Sequence, residues 1–279
     1  MHPKQNYCLF VMIVVGLSCA ILTGTVQAST PVGQAGTDAP AIGYERLPIS
    51  AGSTGQGQDG PAAPTVSAGE TIQPDSQTSL ETVLTTAGDF TLSLDDGSAE
   101  FNVGIGAARE MLFLNRFTPA ANLYPFMLNE IRVFFSGCGG VRVGDDITLV
   151  VYENTSANTD PSNGAVLRAQ VPATVKATNI WSTYTLATPI VLNGPGDVLI
   201  GVVAMEKPGT EYYPAAIDVT HSAGRSWAGW WTASPPSNFA LPPDGSWSLT
   251  DTEGNAGNWM IRGYGTTSNR FIYLPLVTR

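Results

Sequence analysis

Three tryptophans within five residues, Trp227, Trp230 and Trp231, with Trp247 beyond a proline-rich stretch, are the side chains best suited to contact a ligand. Exposed indoles are costly to hydrate, and they stack readily on sugar faces or dock against proteins. On a regular strand side chains alternate, so Trp227 and Trp231 share one face while Trp230 takes the other. Trp227, Trp231 and Trp247 are therefore the expected ligand-contacting set. Gly229 and Ala228 allow a bulge that would change this count. The competing expectation is that the run is a core strand. Trp181 and Trp259 fit buried strand positions.

Other constellations carry less chemistry. One histidine, His221, lies beyond the first 28 residues. Asp218 and Ser226 are near it in sequence, but Gly224 to Ala228 only half matches a nucleophile elbow, which requires a strand-to-helix turn. Zinc and iron sites need several His or Cys ligands, and glycine-rich phosphate cradles are absent. No catalytic residue and no bound metal is expected. Asp95-Asp96, Asp145-Asp146 and Glu153 do offer hard oxygens of the kind that hold a structural calcium between loops. Asp-Asp-Gly is equally a good turn. Two carboxylates brought together by folding would suit a glycosidase, although no pair stands out in the sequence.

The elements that must position these residues occupy only part of the 279-residue chain. Residues 1–28 have the order of a secretory signal peptide: Lys4, an apolar run from Tyr7 to Gly24, then Val26-Gln27-Ala28 with small residues at −3 and −1. Cleavage is expected after Ala28, leaving no transmembrane segment in the mature chain. The alternative is an uncleaved anchor. Without Lys4, the 13 basic residues fall to 12 against 23 acidic ones, a net charge of −11. Such a chain repels phosphate backbones, so nucleic acid is not an expected partner. Cys138 is the one cysteine outside the signal, which predicts no internal disulfide framework.

Residues 29–88 are rich in Gly, Ala, Ser, Thr and Pro without a sustained apolar period, and read as a disordered linker. From 89 to 265 short alternating runs recur between turn residues. Phe101/Val103/Ile105, Ile131/Val133/Phe135, Ile147/Leu149/Val151, Tyr184/Leu186 and the apolar run Asp197 to Ala204 all read as strands. Only Ala107 to Leu112 looks locally helical. The expected fold is all-β, an antiparallel two-sheet sandwich of jelly-roll type.

Six segments in order carry a resemblance over residues 95–265. They are Asp95-Asp96-Gly97-Ser98-Ala99-Glu100, Tyr124 to Leu128 leading into Ile131-Arg132-Val133, and Trp181 to Leu186 with Pro189. Gly196 to Gly201, Arg225-Ser226-Trp227 and Gly257 to Arg262 follow. Together they resemble an accessory jelly-roll-like β-sandwich domain of secreted bacterial proteins, often found beside subtilisin-like peptidases. The resemblance implies a sandwich without established chemistry, and here no peptidase domain accompanies it. Residues 266–279 end in Tyr273-Leu274-Pro275-Leu276-Val277, similar to C-terminal ends shared by unrelated secreted bacterial proteins. The tail is expected to be a sorting tag or, equally, an edge strand with Pro275 on its free side.

Together these features point to a secreted, extracellular or cell-surface protein that is not an enzyme. Its expected role is interaction or structure, with a cell-surface protein or a polysaccharide as partner. A carbohydrate-binding module built on Trp227 to Trp231 is the first alternative, and a glycosidase or esterase of unrecognised type the second.

Overall fold

A computed structural model describes residues 44–49, 88–106, 109–205, 207 and 212–267. The signal peptide and residues 268–279 of the tail lie outside the described residues. The strands in chain order are β1 (Glu45–Pro48), β2 (Asp89–Leu92), β3 (Phe101–Gly104), β4 (Glu110–Phe117), β5 (Phe126–Phe134), β6 (Asp146–Asn154) and β7 (Val166–Thr174). They continue with β8 (Trp181–Leu192), β9 (Asp197–Met205), β10 (Ala215–Asp218), β11 (Ser226–Trp230), β12 (Ser246–Leu249), β13 (Asn258–Trp259) and β14 (Ile261–Thr267). Every pairing is antiparallel, and the sheets do not close into a barrel.

One layer is a six-stranded sheet in the order β12-β11-β4-β9-β6-β7. The other is made of two four-stranded sheets, β2-β14-β5-β8 and β1-β3-β10-β13. These two are joined at Met260, between β13 and β14. Its N–H donates to Ala216 O and its carbonyl accepts from Phe134 N, each at 3.0 Å. The core between the layers is filled by the alternating inward side chains, among them Phe113, Phe126, Ile131, Val151, Ile200, Val202 and Trp259.

β9 explains why Asp197 to Ala204 reads as a continuous apolar run. Val198, Ile200 and Val202 enter this main core, while Leu199 and Val203 enter a second cluster on the opposite face of the six-stranded sheet. A strand covered on both faces has no solvent side to mark with polar residues.

Two sequence expectations are corrected. Glu110 to Leu112, read as locally helical, begins β4, which pairs with β9 and β11 along its length; non-local pairing overrides a weak local preference. Residues 45–48, read as linker, form β1 on the free edge of β3, with Tyr44 packed against the main core.

Candidate functional site

β11 lies between β12 and β4, and its side chains alternate as strand geometry demands. Trp227 faces away from the main core, as does Trp231 just past the strand, and both belong to the second cluster. Ala228 and Trp230 face the main core. The two tryptophans of one face nevertheless have different fates. Trp231 is only 5% exposed and packs edge-on against Phe239, ring centroids 5.3 Å apart, over Leu112, Leu114 and Leu199.

The cover is the proline-rich segment 232–245. Tyr152 Oη donates to Phe239 O at 2.6 Å, Thr232 N and Oγ1 donate to the Asp244 carboxylate, and Gly245 N donates to Trp230 O at 3.1 Å. Trp231 is therefore a core residue, which removes it from the expected ligand set.

Trp227 and Trp247 remain half-buried at the β11/β12 edge of the sheet. Their rings stack, centroids 5.1 Å apart and planes 22° from parallel. Gly229 makes the seat, since it is the register partner of Trp247. A Cβ there would come within 2.5 Å of Ser246 O, 2.8 Å of Pro243 Cγ and 3.2 Å of Trp247 Cε3. From the other side Trp247 Nε1 donates to Asp160 Oδ1 at 3.0 Å.

Asp160 is itself fixed by a polar loop. It accepts from Ser162 N and Oγ at 2.8 and 2.7 Å. Asn154 Nδ2 donates to the carbonyls of Pro161 and Asn163, and Arg116 donates to those of Asn158 and Thr159. Arg116 in turn pairs with buried Asp197 at 2.5 Å. Burial acts to raise the Asp160 carboxyl, but the bonds from Trp247 and Ser162, with Arg116 nearby, outweigh it and hold the group below the usual carboxylate range. The result is a fixed aromatic pair beside an ionised carboxylate and a rim of Asn and Ser.

The other sequence candidates are placed elsewhere. Trp259 is fully buried and donates Nε1 to Trp227 O at 2.9 Å. Trp181 was expected in the core, but it is half-buried beneath Arg262, whose guanidinium carbon lies 4.4 Å from its ring centroid. Ser226 is fully buried and donates to Asn115 Oδ1 at 2.7 Å, while His221 is exposed and the Asp218 carboxylate accepts from Asp96 N and Thr220. These three do not form a triad.

Three of the five carboxylates offered for calcium are paired with cations. Asp95 pairs with Arg262 at 2.5 Å, Asp145 with Lys207 at 2.5 Å, and Glu153 with Arg168. Among the described residues no group of three or more His, Cys, Asp or Glu side chains is arranged to hold a metal ion. No family model, curated protein or solved structure matches the chain.

Proposed function

We propose that this chain is an exported, non-catalytic interaction module that works outside the cell or at its surface, with the Trp227–Trp247 edge as its contact surface. The observation that carries the reading is the aromatic stack itself. Two large rings are kept partly in solvent, on a sheet face whose other aromatics, Tyr152 and Trp231, lie beneath the 232–245 segment. Holding both rings in one geometry before any ligand arrives lowers the ordering cost of binding.

Further support comes from four of the five buried carboxylates among the described residues, Asp95, Glu153, Asp197 and Asp218, each engaged by an arginine or a backbone N–H as structural polar groups are; the fifth, Glu110, keeps its Oε2 buried without a partner. The leader-like first 28 residues and the acidic, turn-rich composition support export.

A specific observation favours a second reading, in which the partner is a polysaccharide. An indole pair beside Asp160 and the Asn158/Ser156 rim combines a stacking surface with hydrogen-bonding groups for hydroxyls. The two readings separate in a screen of soluble polysaccharides by intrinsic fluorescence, with Trp227→Ala as the control. Saturable binding lost in the variant with the fold intact supports the glycan partner. Absence of binding to every glycan leaves a protein partner, and hydrolysis of any of them would overturn the non-catalytic reading.

A further inference from the structure

Twice within the fold an arginine lies across an aromatic ring and is held there by a carboxylate. Arg262 stacks on Trp181, 4.4 Å from its ring centroid, and pairs with Asp95 at 2.5 Å. Arg132 stacks on Tyr264 at 4.1 Å and pairs with Glu130 at 2.6 Å. A guanidinium suits such a seat because it is planar, weakly hydrated and always charged. Its face meets the ring while its N–H edge meets the carboxylate.

The Trp227–Trp247 edge has the first two parts of the same arrangement. Its indoles are half-buried, and Asp160 stands one hydrogen bond from Trp247 Nε1. Among the described residues no arginine or lysine lies over either ring. Arg116 and Arg225 are turned to other groups. Arg116 donates to Asp197 and to the carbonyls of Asn158 and Thr159, while Arg225 donates to Thr118 Oγ1 at 2.7 Å and lies 3.8 Å from Asp197.

The hydrogen bonds of the rim decide what kind of group fits. All three that Asp160 accepts, from Trp247 Nε1 and from Ser162 N and Oγ, land on Oδ1, which leaves Oδ2 without a donor among the described residues. Asn158 spends its amide hydrogens on Ser156 Oγ and Asn163 O, so its Oδ1 is also left to accept. The hydroxyl hydrogen of Ser156 goes to Asn154 Oδ1 or Asn163 O, and that of Ser162 to Asp160. These side chains offer acceptors and no donors, and one acceptor is an ionised carboxylate. The matching group carries N–H donors and positive charge. A net charge of −10 on the chain attracts such a partner from a distance as well. A sugar hydroxyl also donates, but it brings no charge to answer the carboxylate.

We propose that this edge takes an arginine side chain of a partner protein, with its guanidinium stacked on the indole pair and its N–H groups bonded to Asp160 Oδ2 and Asn158 Oδ1. This rests on the Trp227–Trp247 edge being the contact surface, and it adds the chemistry of the group that docks there. Trp247 Nε1 and Asp160 Oδ1 are 3.0 Å apart, so one guanidinium can reach both ring and carboxylate. Cation–π attraction acts within about 6 Å of a ring centroid.

The test is a fluorescence titration of the full chain with a blocked peptide of alternating glycine and arginine, beside its lysine and citrulline counterparts. The arginine peptide should bind saturably, and the neutral citrulline peptide, of nearly the same shape, about tenfold or more weakly. Asp160→Asn keeps an acceptor for Trp247 and Ser162 but removes the charge. It should weaken the arginine peptide by about the same factor with near-ultraviolet circular dichroism unchanged. Trp227→Ala should weaken it too. Lysine or citrulline binding as tightly as arginine would overturn the arginine assignment; the contact surface itself would stand if that binding still depended on Trp227. Arginine binding indifferent to both substitutions would overturn the assignment and the contact surface together. No saturable binding of the arginine peptide would overturn the assignment alone, since Trp227-dependent binding of a glycan would still support the edge.

Discussion

Trp227 and Trp247 stand on adjacent strands with their ring planes 22° from parallel, and only the second is tied by its indole N–H, to Asp160 across the sheet end. One ring is thus located by stacking and the other by a directed bond as well. The pair responds differently to changes on each side.

Asp160→Ala should loosen Trp247 without unfolding the sandwich. It removes the three hydrogen bonds that the carboxylate accepts, from Trp247 Nε1 and from Ser162 N and Oγ, each worth about 1 kcal/mol, so the chemical denaturation midpoint should fall while unfolding stays cooperative. The emission of the half-buried tryptophans should shift to longer wavelength. An unchanged spectrum would mean that stacking alone holds the ring.

The same contact has a pH dependence of known sign. The Asp160 carboxyl is held below its ordinary value in the folded chain. Its stabilising contribution is therefore present above the unfolded value of about 3.9 and is lost as pH falls through the lower folded value. Tryptophan emission from the pair should be constant from pH 7 to about 5 and change only below about 4. A transition near neutrality would point to a different group.

Trp231→Ala and Trp227→Ala should separate sharply. Truncating a buried tryptophan costs about 3–5 kcal/mol, and Trp231 is 5% exposed under Phe239. Trp227 keeps part of its surface in water and should cost clearly less. Urea unfolding of the two variants checks the order, and equal losses would return Trp227 to the core.

Gly229→Ala should be destabilising despite the smallness of the change. The added methyl meets Ser246 O at 2.5 Å and Pro243 Cγ at 2.8 Å, inside contact distance. Overpacking of this kind costs about 1–3 kcal/mol. It should also displace Trp247, which near-ultraviolet circular dichroism would detect as a change in the aromatic bands.

Removing residues 29–49 should lower the melting temperature. β1 donates and accepts along β3, Ile49 N donates to Glu100 O at 2.8 Å, and Arg46 lies over the Phe101 ring. A loss of about 2 kcal/mol corresponds to roughly 4–8 °C in a domain of this size. An unchanged melt would show that β1 contributes nothing to the sandwich.

Much of this architecture was legible in the alternation of apolar residues. The strands around Ile131 and Ile147 announce themselves, and the shared face of Trp227 and Trp231 follows from parity alone. What covers a face is not encoded locally. Segment 232–245 looks like a loop because its prolines and polar residues are loop chemistry, yet Phe239 and Leu241 make it the roof over Trp231. Trp181 sits opposite Phe134 in register, but only the folded chain shows that Arg262, held by Asp95, lies across it in place of core side chains. β1 escaped notice because four residues containing a proline carry no period. Asp160, the residue that fixes Trp247, is 87 positions away in sequence, and no spacing signals such a contact.

The most direct test of the non-catalytic binding account is calorimetric titration of the full chain with a panel of soluble polysaccharides, alongside Trp227→Ala. Heat should return to baseline after every injection, and any saturable signal should vanish in the variant. A sustained heat of turnover, or binding that survives loss of Trp227, would contradict the account.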